Sequence, residues 1–341
     1  MSKSMTQVNV ATPEMASQVA DELAAVLEVH GSEAGQYNVL SPDPWFVLWN
    51  DDRSGFVSFL EGRKCVLAWR SPVARSDEQA DLVARLVLYG ERQRKAVFAM
   101  EVNEVTCTAG IALGMTPIWT GTESYLDLAT WTLRGGRRQK VRWAKSHALK
   151  LGLEWREAFP FSDQHDHEGI RRVEVRWKAE RIERQTDSFL RTSFEELADY
   201  RRYFVCERVG EIIAFVTCTP VNQDGWYLQD IVRAPDAPRG ALEGAMAYAL
   251  DIFQKDGYGF VSNGPLPFWR PDERWSDPHQ FGVIGNHVTN FFNRQYRFRG
   301  INQFRSKFDP DRVEPLYVLR SRRFITLGVA RSLTKLLNKH P

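Results

Sequence analysis

The stretch YLQDIVRAPDAPRGALEGAMAYAL (227–250) decides how the chain is read. It opens as an apolar strand that ends in Asp230 and Arg233. Pro235, Pro238 and Gly240 then interrupt it, and an apolar helix rich in small residues follows. Far downstream, FRSKF (304–308) sets Lys307 among aromatic residues. Charges in strand-rich apolar surroundings carry a desolvation cost, and sites are where proteins bear it. Asp230, Arg233 and Lys307 are therefore the candidate catalytic residues. The plainer alternatives are a structural ion pair at a strand end for the first two and an edge-strand gatekeeper for Lys307.

Working outward, Val209-Gly210 turns a hairpin between strands 203–207 and 211–219. Strand 226–232, helix 239–255 and strand 260–262 come after it. In the front half, Thr12-Pro13 reads as the N-cap and first position of a helix. Strands 45–50 and 56–69 come next, the latter folded at Glu61-Gly62. Ser76 and Gln79 form a capping-box pattern for a helix to about residue 95. Strand 97–102, a short helix and a strand through 125–128 complete that half. Helices are expected over 137–151 and 168–184, with a short one over 194–200. QHDHEG (164–169) reads as a solvated helix start.

A shift of 163 residues lays Arg70-Ser71-Pro72 over Arg233-Ala234-Pro235. Helix then falls on helix and strand on strand, and Asp230 overlies Leu67. Each half reads hairpin, strand, helix, strand. That order is the plan of an acetyltransferase-like (GNAT) domain, whose mixed sheet splays to admit an acyl donor. The expected fold is α+β: two tandem GNAT-like domains with mixed central sheets. The boundaries expected are 1–134 as scaffold, a basic connecting helix at 135–160, a catalytic domain at 161–323 and a basic amphipathic tail at 324–341.

The length of 341 residues suits two domains, and 43% hydrophobic residues suffice for two cores. A net charge of +2 leaves partners to be read from local charge. No apolar run is long enough to span a bilayer, and the first residues lack a secretory core. Cys65, Cys107, Cys206 and Cys218 show no metal-ligand spacing, so reduced thiols of a cytosolic protein are expected, with no metal and no cofactor. Neither half carries the Gly-rich turn that cradles a coenzyme A pyrophosphate, and Pro235 and Pro238 remove amide donors where it belongs.

Local charge points elsewhere. Arg134, Arg137, Arg138, Lys140, Arg142, Lys145 and Lys150 crowd one stretch with no acid among them. Arg171, Arg172, Arg176, Lys178, Arg181 and Arg184 crowd another, interrupted by glutamates. With Trp143 and Trp177 between them, these fit a face that tracks phosphates and stacks bases. A solvated helix face is the alternative for each.

The motifs YLDLATWTLRGGRRQKVRWAKSHALKLGL (125–153), RVGEIIAFVTCTP (208–220), DIVR (230–233), SNGPLP (262–267) and YRFRGINQFRSKFDPDRVEPLYVL (296–319) together resemble the C-terminal catalytic domain of the lysyl-phosphatidylglycerol synthases. The likeness spans roughly 35–320. In the last motif Arg305 replaces the family's first lysine, while Lys307, Phe308 and Pro310 are in place. The resemblance implies tandem GNAT-like domains and transfer of an aminoacyl group from aminoacyl-tRNA to an acceptor. Without membrane helices in its sequence, the chain looks more like the free-standing seryl-tRNA-dependent transferases of antibiotic pathways, such as the valanimycin enzyme. A soluble hydroxyl or amine acceptor is therefore preferred over phosphatidylglycerol. A coenzyme A-dependent N-acyltransferase and a non-catalytic RNA-binding module remain alternatives. On this reading Asp230 grips the α-ammonium group or accepts a proton, Arg233 holds a phosphate or the terminal ribose, and Lys307 faces the oxyanion or a phosphate. The segment 134–150 holds tRNA. The tail 324–340 is expected to pack on its domain, with peripheral contact to an anionic membrane as the other possibility.

Overall fold

The computed structural model describes residues 12–180, 193–269, 298–321 and 325–337. In chain order its elements begin β1 (Glu14–Met15), α1 (Ala20–His30), β2 (Phe46–Trp49), β3 (Phe56–Glu61), β4 (Cys65–Trp69), α2 (Gln79–Arg92), β5 (Ala96–Val102) and α3 (Glu104–Ala112). Next come β6 (Thr116–Asp127), α4 (Gln139–Lys150), β7 (Leu153–Ala158), α5 (Gln164–Ala179), β8 (Arg202–Arg208), β9 (Glu211–Val221), β10 (Gly225–Arg233), α6 (Ala241–Lys255) and β11 (Phe260–Pro267). Last are α7 (Phe298–Arg305), β12 (Arg312–Arg320) and α8 (Leu327–Leu337).

Contacts divide the chain into two compact units. One runs to Thr120 and takes the chain back at Pro315, and the other holds the described residues from Gly121 to Glu314. Within the first unit the strand order is β1-β2-β3-β4-β5-β12, and within the second β7-β8-β9-β10-β11-β6. Each is a mixed sheet with one parallel pair, β4 with β5 and β10 with β11. Each parallel pair is joined by a helical crossover, α2 or α6. This is the expected α+β, GNAT-like plan in both units.

The units do not coincide with the boundaries expected at 134 and 160. The reason is an exchange of closing strands. β12, last in the chain, pairs antiparallel with β5 and completes the first sheet. β6, which follows α3 of the first unit, pairs antiparallel with β11 and completes the second.

At the centre of the second sheet β9 is covered on both faces, so it is buried without alternation from Ile212 to Thr219. Against one face α4 and α6 pack Val141, Ala148, Ala245 and Phe253 on Leu228, Val216 and Val261. Against the other, α5 packs Ile170 and Val173 on Phe215 and Val232. α6 approaches closely because Gly244 has no side chain: a Cβ there would lie 2.1 Å from Trp155 Cε2. Trp155 in turn donates its indole N–H to the Ala241 carbonyl (3.0 Å).

Several local expectations change. Thr12-Pro13 does not open a helix; β1 comes directly after it, and α1 starts at Ala20. The Ser76–Gln79 capping box does not form. α2 begins at Gln79 behind Glu78, and buried Gln79 accepts from the Thr106 hydroxyl (3.3 Å). The segment 194–200 yields only a 3-10 turn, Ala198–Tyr200. The start of α5 is not simply solvated, because Asp166 is buried and accepts from Arg156 (3.1 Å) and from the Phe159 N–H (2.7 Å). The Val209-Gly210 hairpin forms as read, both residues taking positive φ (52° and 74°). All four cysteines are buried and free.

Candidate active site

The two parallel pairs differ where it matters. β4 and β5 stay in register over five residues, from Cys65 opposite Ala96 to Trp69 opposite Met100. β10 and β11 pair only as Gly225 with Phe260, Trp226 with Val261 and Tyr227 with Ser262. Beyond Tyr227 each strand continues with its other neighbour. β10 bulges at Gln229 against β9, and β11 bulges at Asn263 against β6. A bulge adds a residue and re-aims the side chains beyond it. The second sheet therefore opens between β10 and β11, and Asp230 stands just past the bulge where the first half has buried Leu67.

Register fixes which way the side chains point. Asp230 lies opposite Thr217, and Thr217 lies opposite Tyr203 on the α5 face. Thr219, Tyr227 and Ser262 line up across three strands on that same face. Asp230 is buried; it accepts from the Thr217 hydroxyl (2.8 Å), and its backbone N–H donates to the same oxygen (3.1 Å). The guanidinium of Arg201, itself only 2% exposed, lies 3.3 Å from the carboxylate. Ser262 donates to buried Glu123 in a short hydrogen bond. A polar band of Arg201, Thr217, Thr219, Asp230, Ser262 and Glu123 thus crosses the α5 face inside an otherwise apolar sheet.

Two atoms of this band, Thr219 Oγ1 and Arg201 Nε, are buried with no hydrogen-bond partner among the described residues. Buried polar atoms are nearly always satisfied, so each of these two calls for a further partner, a water or a bound group. Burial pushes the Tyr203 hydroxyl up to about 12, with the Arg201 charge opposing it and the Asp230 charge adding to it, and burial raises Glu174 although Lys178 opposes it.

Arg233 and Lys307 are elsewhere. Arg233 lies opposite Ala214, on the face covered by α4 and α6. It is exposed and donates to the Ala237 carbonyl just before α6 (3.0 Å). Lys307 sits in a 3-10 turn after α7, not on an edge strand, and pairs with Glu243 in the first turn of α6 (2.8 Å). The three candidates do not form one constellation. Arg233 and Lys307 gather at the start of α6, while Asp230 faces the other way through the opening.

The start of α6 is unlike a phosphate cradle. Glu243 occupies its first turn, and a Cβ at Gly240 would lie 2.2 Å from the Ala144 carbonyl of α4. Among the described residues no group of acidic, histidine or cysteine side chains is placed to hold a metal.

With this geometry established, comparison supplies the family. The profile described as "Phosphatidylglycerol lysyltransferase, C-terminal" matches residues 39–320. The chain belongs to this family. A phosphatidylglycerol lysyltransferase of Staphylococcus xylosus is 21% identical over 306 residues, 86% of this chain and 35% of the relative. The chain thus spans about a third of the length of that relative. Two solved structures share the fold. The C-terminal domain ascribed to a lysylphosphatidylglycerol synthetase of Agrobacterium fabrum gives a TM-score of 0.78 at 18% identity, covering 95% of this chain and 98% of that one. L-PGS of Bacillus licheniformis gives 0.76 at 19%, covering 94% and 97%.

In this member of the lysyltransferase C-terminal family the basic segment does not act as one patch. Arg138 is buried and donates to the Phe308 carbonyl (2.8 Å) and Asp311 (2.7 Å), so it holds a turn and is unavailable to phosphate. Arg137 is tied to Asp311 (2.8 Å) and Asp309. Arg142 donates to the Leu133 and Gly135 carbonyls, both at 2.6 Å. Lys145 pairs with Asp251 (3.4 Å). Arg134, Lys140 and Lys150 stay exposed, with no charged partner among the described residues. In the second cluster Arg171 and Arg172 are exposed, Arg176 pairs with Asp236 (2.8 Å) and Lys178 with Glu174 (3.3 Å). Arg181 and Arg184 lie outside the described residues.

The tail helix α8 packs by Val329, Ser332 and Leu336. Ser332 accepts from the Lys64 N–H (3.0 Å) at the β3–β4 turn of its own unit. No helix among the described residues is long and apolar enough to cross a membrane. Sequence reasoning missed Arg201, Thr217, Thr219, Ser262 and Glu123. The only signal for them was polar residues inside otherwise apolar strands, which is weak without knowing the register.

Proposed function

We propose that this domain moves an aminoacyl group from aminoacyl-tRNA to a hydroxyl of phosphatidylglycerol. The observation that carries the reading is the opening between β10 and β11, with cations on one face and the Asp230 band on the other. The tRNA 3′ end approaches from the α6 side, where Arg233 and Lys307 meet its phosphates. The esterified amino acid passes between the strands. Asp230, 3.3 Å from the Arg201 guanidinium, grips the α-ammonium group, and Thr219 Oγ1 and Arg201 Nε, which have no hydrogen-bond partner among the described residues, complete their hydrogen bonds on the substrate.

The lipid hydroxyl then attacks the ester carbonyl directly. A new C–O bond forms, the bond to the ribose oxygen breaks, and the proton of the attacking hydroxyl ends on that ribose oxygen. No covalent enzyme intermediate is needed, because the ester is already activated and positioning carries the rate. The names of the relatives support the lipid acceptor over the soluble one preferred from sequence. Glu243 in the first turn of α6 and Gly240 pressed on α4 speak against a coenzyme A donor.

The test is a set of labelled aminoacyl-tRNAs offered with phosphatidylglycerol vesicles. Label should enter the lipid, from lysyl-tRNA first. Label entering a soluble metabolite fraction instead would overturn the acceptor, and acyl transfer from acetyl-CoA would overturn the donor.

A further inference from the structure

The opening between β10 and β11 carries one more polar group on its α6 side. Asn263 is the first residue of β11 beyond the last pairing with β10, and it forms the β11 bulge. Its side chain points away from the Asp230 band. Nδ2 donates to the carbonyl of Arg305 at the end of α7 (3.1 Å), and the turn that follows carries Lys307 and seats Phe308 in the core under α4 and α6. The setting is rigid. Gly264 takes a φ of 87°, and a Cβ there would lie 2.2 Å from Arg305 Nη1, which donates to the Pro265 carbonyl (2.8 Å). The Gly264 N–H donates to the Ser262 hydroxyl (3.0 Å). Because Nδ2 is committed to a carbonyl, the planar amide turns Oδ1 the other way. Asn263 is fully buried, and its Oδ1 has no hydrogen-bond partner among the described residues, so it calls for a donor. The first unit has no counterpart: β4 and β5 stay paired through Trp69 and Met100, and β5 contains no amide side chain.

We infer that Asn263 Oδ1 accepts a hydrogen bond from the 2′-hydroxyl of the terminal ribose, beside the 3′-oxygen that carries the aminoacyl ester. The inference rests on the proposed function for its donor substrate and names the group that reads the sugar. The choice follows from what that end of the substrate can donate. Ester oxygens only accept. The α-ammonium is a cation, and the Asp230 carboxylate beyond the opening holds it better than a neutral amide does. The adenine amino group lies across the ribose from the ester. The hydroxyl next to the ester is the remaining donor, and it arrives on the side where Arg233 and Lys307 stand. It is also the group that tells RNA from DNA at a given site. Asn263 makes and breaks no covalent bond. It fixes the ribose so that the ester carbonyl is presented to the opening in one orientation.

The probes are two RNA hairpins that carry a lysyl group in amide linkage at the terminal 3′ position. One keeps the 2′-hydroxyl of that residue and the other is 2′-deoxy, and their affinities are measured by competition anisotropy, so that binding is read without transfer. The parent should bind the hydroxyl form about 10-fold more tightly, the scale of a hydrogen bond whose loss strands a buried acceptor. In N263A the two forms should bind within about twofold of each other, because the cycle isolates this one contact. A preference that survives in N263A belongs to sugar pucker or to another residue and overturns the inference. Equal affinities for the parent overturn it without any variant. Circular dichroism melts check folding, and N263L repeats the cycle if N263A does not fold. The two readings fail separately. Asn263-dependent preference for the hydroxyl form with no label entering phosphatidylglycerol keeps this contact and removes the acceptor. Label entering the lipid at equal kcat/KM from ester-linked donors of both sugar forms does the reverse.

Discussion

The Arg201 guanidinium lies 3.3 Å from the Asp230 carboxylate, and both side chains are buried. Removing one partner of such a pair strands the other charge, which costs about 3–5 kcal/mol, whereas removing both costs much less. Arg201→Met and Asp230→Leu should each lower the urea midpoint strongly, and the double variant should recover much of the loss. A double variant as unstable as the sum of the singles would mean that the pair is not coupled. Transfer should be lost in all three.

Lys307 and Glu243 form a partly exposed pair, so the bond itself contributes about 1 kcal/mol or less to stability. Lys307→Ala should therefore melt close to the parent. On the proposed reading kcat/KM for aminoacyl-tRNA should still fall by roughly 10- to 150-fold, the scale of about 1.5–3 kcal/mol for a lost hydrogen bond to a charged group. Equal small losses in both measurements would reduce Lys307 to a surface contact.

At Gly244 a Cβ would lie 2.1 Å from Trp155 Cε2. Gly244→Ala should destabilise by about 1–3 kcal/mol through overpacking. Trp155→Leu, harmful alone, should cost less in that background. Calorimetry of the four proteins checks it.

Asp166 sets an acid limit. Burial works to raise its pKa, but hydrogen bonds from Arg156 and the Phe159 N–H outweigh it, so the folded value lies below the ordinary one. A depressed carboxyl contributes stability that is present above its unfolded pKa of about 4 and is lost as pH falls through the folded value. Asp166→Asn should be less stable than the parent at pH 7. The gap should narrow below about pH 4. A gap that stays constant with pH would assign the effect to packing alone.

The tail offers a simpler test. Leu336 is buried, and a Cβ at Gly62 would lie 3.1 Å from its Cδ1. Leu336→Ala should cost about 2–5 kcal/mol of the first unit's stability. A tail that only visits a membrane would show no such loss.

How much of this was legible depended on the range of the interaction. The Val209-Gly210 hairpin and the α6 crossover come from local pattern and spacing, and they stand. Asp230 was visible as a charge in a strand. Its direction was not, because a one-residue bulge at Gln229 reverses the face of everything after it and leaves no mark in an apolar strand. The basic segment looked like one patch because sequence shows charge but not partners; Asp309 and Asp311, which occupy Arg137 and Arg138, lie about 170 residues away. The Ser76–Gln79 cap failed for a related reason: Gln79 is claimed by Thr106 of the packed helix α3.

The closing role of β12 has a bearing on synthesis. β5 is complete once residue 102 has been made, yet its free edge finds a partner only when Tyr317 to Arg320 have emerged. During translation of the intervening two hundred or so residues, the first unit carries a bare row of amide and carbonyl groups beside apolar Val97 and Phe98. A nascent chain stalled before β12 should therefore recruit holdase chaperones, and release of the finished polypeptide should end that dependence abruptly.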